Sequence, residues 1–87
     1  MIQGLGLPFC NKKEKIILQN VDSKFKYIAR DMLGDLNVYV SEPDKGNTMW
    51  LNSDMTDYVE MIAFNHLFKN ISWEDDEPTL ISEVLNG

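Results

Sequence analysis

Cysteine occurs once in the sequence, at Cys10. A lone cysteine closes no internal disulfide, so the fold has to hold without one and does not call for an oxidising compartment. Histidine also occurs once, at His66. A catalytic imidazole needs an orienting partner, and a tetrahedral metal site needs several nitrogen, sulfur or carboxylate ligands. Only the tertiary fold could join Cys10 to His66. Cys10 therefore reads as a small apolar residue and His66 as an ordinary surface or structural side chain. Gly4 and Gly6 form Gly-x-Gly with no preceding strand and no third glycine at the spacing a phosphate loop requires. No run approaches the ~18–20 apolar residues that span a bilayer. Met1–Cys10 lacks a basic leader and is broken by Gly4, Gly6 and Pro8, unlike a secretory signal. These absences set the expectation of a soluble, cytoplasmic, non-enzymatic protein with no cofactor and no metal.

Basic residues are scarce beyond the first third. Lys12, Lys13, Lys15, Lys24, Lys26 and Arg30 are six of the eight, and only Lys45 and Lys69 follow. Twelve of the fourteen acids lie after Arg30, and the net charge is −6. Nucleic-acid binding depends on displacing counterions from phosphates with a basic surface, which the whole-chain charge disfavours. An acidic surface is instead drawn to basic ones, including the nucleic-acid channels of other proteins.

What is present is enough for one core. The chain has 87 residues, 44% of them hydrophobic, with four Phe, three Tyr and two Trp. That composition excludes wholesale disorder, and the length leaves little room for a second domain. Residues 1–87 read as a single domain with an irregular lead-in over residues 1–11, where Gly and Pro punctuate the chain. Residues 12–19 fit a short helix or a strand equally well.

The clearest pattern is the alternation over residues 24–30. Phe25, Tyr27 and Ala29 share one face, expected to be buried; Lys24, Lys26, Ile28 and Arg30 share the other. Residues 31–35 supply a turn, with Gly34 free to take positive φ, and Leu36, Val38 and Val40 alternate with Asn37 and Tyr39 in a return strand. Residues 42–47 form a second turn around Pro43 and Gly46, and residues 48–51 a third strand. Residues 52–64 are ambiguous: over 55–64 a helix would align Met55, Tyr58, Val59 and Ile62, whereas a strand would align Tyr58, Ile62 and Phe64. The β-branched and aromatic content favours the strand. Residues 67–73 read as a further strand. Pro78 suits the first turn of a C-terminal helix with Leu80, Ile81, Val84 and Leu85 on one face, too short to stand without docking on the sheet. The expected fold is α+β: a small antiparallel, hairpin-based sheet of about four to five strands with a short C-terminal helix.

Two segments are candidates for function. Trp73-Glu74-Asp75-Asp76-Glu77-Pro78 is the most unusual. Its four adjacent carboxylates lack the alternating spacing and the glycine of a calcium loop. They serve either to start the following helix, where acids favour the dipole, with Trp73 as an anchor, or as a recognition surface for Arg or Lys of a protein partner. Lys12, Lys13, Lys15, Lys24 and Lys26, interleaved with Phe25 and Tyr27, form the alternative: a lysine strip that contacts nucleic acid. Against it, alternation turns the aromatics away from the lysines.

Phe25 to Asp31, Gly34-Asp35-Leu36, Tyr39, Glu42-Pro43, Lys45-Gly46 and Trp50 form one set of residues in order. Leu67-Phe68, Ile71, Trp73-Glu74-Asp75, Glu77-Pro78, Ile81 and Leu85 form another. Together they resemble a group of short, mostly uncharacterised proteins of phages and prophages of Gram-positive bacteria, over roughly residues 24–85. The resemblance implies an accessory protein acting in the host cytoplasm and lends no residue a role. The resulting expectation is a binder of a host or phage protein, in its sharper form an acidic inhibitor of a DNA-handling or defence protein. Strand edges in so small a sheet also leave a homodimer open.

Overall fold

A computed structural model describes residues 11–86 of the chain. Cys10 and the rest of the lead-in, and with them any Cys10–His66 pairing, lie outside the described residues. Helix α1 spans Lys12–Gln19. It starts there because Asn11 and Glu14 make a reciprocal cap: the Asn11 side-chain oxygen accepts from the Glu14 N–H at 2.9 Å, and Glu14 Oε1 accepts from the Asn11 N–H at 3.0 Å. This resolves residues 12–19 as helix.

Strands β1 (Tyr27–Arg30) and β2 (Leu36–Tyr39) form the expected hairpin, in register Tyr27 to Tyr39 and Arg30 to Leu36. Gly34 takes φ 103° in its turn, and Asp31 N–H donates to the Asp35 carbonyl at 2.8 Å. Strands β3 (Asp44–Lys45) and β4 (Trp50–Leu51) pair as a separate two-stranded ribbon. The expected third strand over 48–51 thus closes on residues 44–45 and does not join the main sheet. The ribbon's turn brings Gly46 so near the Met49 carbonyl that a Cβ would sit 2.7 Å from its oxygen, which explains the glycine. Strand β5 (Tyr58–Glu60) follows, so the strand alternative for 55–64 holds for its middle, and a short 3-10 helix covers Ile62–Phe64. Strand β6 (Thr79–Leu80) runs directly into helix α2 (Ile81–Asn86). The main sheet is antiparallel, ordered β5-β2-β1-β6. The α+β class, the hairpin-based sheet and the short C-terminal helix are as expected.

Both faces of the sheet are covered. On one, α1 and α2 close over Ile28, Leu36 and Val38, with Phe25, Phe68, Ile71, Ile81 and Val84 filling the space. On the other, Ala29, Tyr39 and Trp50 pack with Tyr27 and Trp73. This corrects the expected grouping of Phe25 with Tyr27 and Ala29. A turn from Asp22 to Phe25 precedes β1, so the alternation starts only at Tyr27 and Phe25 joins Ile28 on the helix side.

Two further expectations fail, each for a physical reason. Residues 67–73 form no strand. Phe68 takes φ 57°, and Arg30 gathers the carbonyls of Asn65, Leu67, Phe68 and Ile71 around its guanidinium at 2.7–3.1 Å. Successive carbonyls in a strand point in opposite directions and could not converge in this way. Pro78 lies outside α2, because the chain first pairs Thr79 and Leu80 with β1 and turns helical only at Ile81, whose N–H donates to the Lys26 carbonyl at 2.9 Å. The acidic run is therefore separated from the helix start, and its helix-dipole role falls away.

Candidate functional site

The segment Trp73–Glu77 is a clamped turn. Lys45 Nζ donates to the carbonyls of Trp73 (2.5 Å) and Asp75 (2.6 Å). It stands 4.5 Å from the Trp73 ring centroid and 5.6 Å from that of Trp50. The two indoles meet edge to face at 6.2 Å, a favourable arrangement of their quadrupoles. The Asp75 carboxylate accepts from the Ser72 N–H at 3.2 Å, which ties it into the turn. Glu74, Asp76 and Glu77 are left exposed. The run thus offers three free carboxylates and a half-buried Trp73. Among the described residues, no group of three His, Cys, Asp or Glu side chains is placed to hold a metal ion.

The lysines stand on two stretches of chain, helix α1 and the segment leading into β1. Lys12 and Lys13 are exposed and Lys15 half-buried on α1. Lys24 pairs with Asp57 at 2.9 Å and lies 5.4 Å from the Phe25 ring. The hydrogen bond to Asp57, and then that residue's charge, raise the Lys24 ammonium above its ordinary pKa. Lys26 Nζ donates to the Ser23 carbonyl at 2.8 Å. Phe25 is buried in the core and Tyr27 is half-buried. His66 is exposed in the turn after the 3-10 helix.

The surface that sequence reasoning did not single out is the outer edge of β5. This strand has a neighbour on one side only among the described residues, and all three of its residues are exposed. The register Val38 to Val59 turns Val59 to the helix-covered face, while Tyr39 to Tyr58 and Asn37 to Glu60 turn their partners to the other. A recess opens beside the strand on each face. On the helix side, Ile16, Ile17, Val21, Val59, Met61 and Phe64 line most of a largely apolar groove of about 590 Å³, which Asp22 and Glu60 also border. Ile16, Val59 and the neighbouring Ile62 are each about half exposed.

On the opposite face lies a cavity of about 210 Å³ among Asp31, Asn37, Tyr39, Trp50, Tyr58 and Glu60. The Tyr39 and Tyr58 rings stack with centroids 6.0 Å apart. Asp31 accepts from the Trp50 backbone N–H at 2.9 Å and from Asn37 Nδ2 at 3.2 Å. Burial pushes the Asp31 carboxyl above its ordinary pKa, and the charge of Asp35 adds to this; the two hydrogen bonds oppose it. Burial also raises the Tyr39 phenol, with Asp31's charge acting in the same sense. Both shifts mark a place where negative charge is poorly solvated. None of the lining residues carries a positive charge.

Sequence could have signalled the edge through the β-propensity of Tyr58 and Val59 with acids on either side. The edge position itself depends on sheet order, which only the fold decides. Among the described residues no helix is long and apolar enough to cross a membrane. No family model, curated protein or solved structure matches the chain.

Proposed function

We propose that the chain is a phage or prophage accessory protein that acts by binding a protein partner, and that the partner docks along the β5 edge. The observation that carries this reading is the edge itself: Tyr58, Val59 and Glu60 are exposed on a strand with one neighbour among the described residues, flanked on both faces by recesses. A strand edge presents a row of backbone donors and acceptors, and a chain added there gains main-chain hydrogen bonds while adjacent pockets select its side chains. The net charge of −6 favours a partner with a basic surface, which a nucleic-acid-handling protein of the host would offer. The exposed Glu74, Asp76 and Glu77 add to that attraction from a separate patch.

The test is a pull-down from nuclease-treated Gram-positive host lysate with three tagged proteins: the unaltered chain, Val59→Lys, and Glu74→Lys combined with Asp76→Lys. The expected result is one protein retained by the unaltered chain and the acidic-run variant and lost from Val59→Lys. Loss from the acidic-run variant alone would move the interface to residues 73–77. Retention of nothing by any of them would count against partner binding.

A further inference from the structure

The two recesses beside β5 differ in chemistry, and the difference specifies what fits. A strand added to β5 would place alternate side chains on alternate faces of the sheet. Side chains level with Val59 would face the apolar groove of Ile16, Ile17 and Phe64. Those level with Tyr58 and Glu60 would face the cavity that holds Asp31, Tyr39 and Trp50. That cavity combines two carboxylates with three aromatic rings and has no cation of its own. Aromatic faces and carboxylates both attract a cation, most strongly where water is partly excluded. Exposed Met49 and Leu51 at the same cavity suit the methylene stem of a long side chain. The chain already uses this chemistry, with Lys45 lying against Trp50 and Trp73 and Lys24 against Phe25 and Asp57.

Resting on the partner-binding reading, we infer that the β5 edge receives an extended strand of a protein partner in which an apolar side chain faces the α1 groove and flanking arginine or lysine side chains enter the Asp31–Tyr58–Glu60 cavity. A second copy of this chain fits less well. Antiparallel self-pairing centred on Val59 sets Tyr58 against Glu60 of the second copy and brings two acidic cavities together with no cation between them. Moving the register one step in one direction sets Asp57, already paired with Lys24, against Glu60, a like-charge pair across the ladder that Lys24 only partly offsets; one step the other way sets Glu60 against Val59.

The probe is a capped heptapeptide, Thr-Arg-Val-Arg-Val-Arg-Thr, titrated into the full chain with backbone amide and Trp50 indole resonances as the readout. Its control replaces each arginine with citrulline, which keeps shape and removes charge. The expected result is tighter binding of the arginine peptide by roughly tenfold or more, with shifts centred on residues 57–61 and Trp50, and loss of that preference in Glu60→Gln. Glu60 is exposed and on the strand surface, so this variant keeps the fold; an unchanged amide spectrum verifies it. Equal affinity for the two peptides would overturn the cationic assignment. Binding of neither peptide, while a lysate protein is still retained in a Val59-dependent way, would overturn the inference and leave the partner-binding reading standing. Failure of both experiments would remove both. A concentration-dependent dimer in sedimentation, abolished by Val59→Lys, would overturn the inference by assigning the edge to a second copy.

Discussion

The two edges of the main sheet differ in what continues them, although a recess of about 330 Å³ also borders Leu80 and Ile81 at the β6 end. At one, β6 contributes only Thr79 and Leu80 before the chain turns into α2, whose Ile81 and Val84 are buried in the core. The strand is short and its continuation docks beside it, a common way to blunt an edge. At the other, β5 lies between two recesses with its three residues exposed. A domain of this size has little stability to spare. The contrast separates an edge whose strand runs on into a core-docked helix from one whose three residues stay exposed.

The largest expected effect comes from the residue that clamps the segment running between the two edge strands. Arg30 donates to five carbonyls, those of Gly34, Asn65, Leu67, Phe68 and Ile71, using the full set of guanidinium donors. Burial lowers its pKa, but the carbonyls hold it in place. Arg30→Leu strands these acceptors and should remove about 3 kcal/mol or more, read by urea denaturation. An unchanged midpoint would show that the 65–71 segment stands without its clamp. Next, Val84→Ala opens a void behind the β6 edge and should lose about 2 kcal/mol. Val59→Lys at the β5 edge should stay within about 0.5 kcal/mol of the unaltered chain. Comparable losses at both sites would erase the distinction between the edges.

The smallest effect concerns pH at the cavity. The folded-state pKa of Asp31 is raised, so the native state binds its proton more tightly than the unfolded chain does. Its contribution to stability therefore grows as pH falls from above the raised value towards the ordinary carboxylate value, opposite in sign to that of a salt-bridged acid. Asp31→Asn keeps an acceptor for the Trp50 N–H and should flatten this part of the stability-against-pH curve. A curve that keeps its shape in the variant would assign the dependence to other groups.

What could be read in the sequence follows from the range of the forces involved. The β1–β2 hairpin was legible because its alternation and the Gly34 turn are local. The apolar stripe of α2 was legible too, but not its start, since pairing of Thr79 and Leu80 with β1 overrides the helix signal of Pro78. Residues 67–73 have the composition of a strand and lose that conformation to Arg30, a side chain distant in sequence. The Asn11–Glu14 cap is visible as Asn-x-x-Glu, but the apolar run Ile16–Leu18 dominates that window and leaves residues 12–19 open between helix and strand. For the site, Trp73–Glu77 stood out through composition alone. The β5 cavity could not, because Asp31 and Glu60 meet only across β2.

Arg30 also bears on how this sequence can drift over generations. Its ligands in the 65–71 segment are main-chain oxygens, and every amino acid supplies one. Exposed His66 and Lys69 can thus be exchanged freely without disturbing the clamp, while Arg30 itself has no substitute with the same five donors. Descendants of this chain should therefore vary at the exposed positions of this segment while keeping Arg30 and the buried Phe68 and Ile71, and a fixed arginine opposite a loop with two fixed apolar residues would be the trace by which to recognise them.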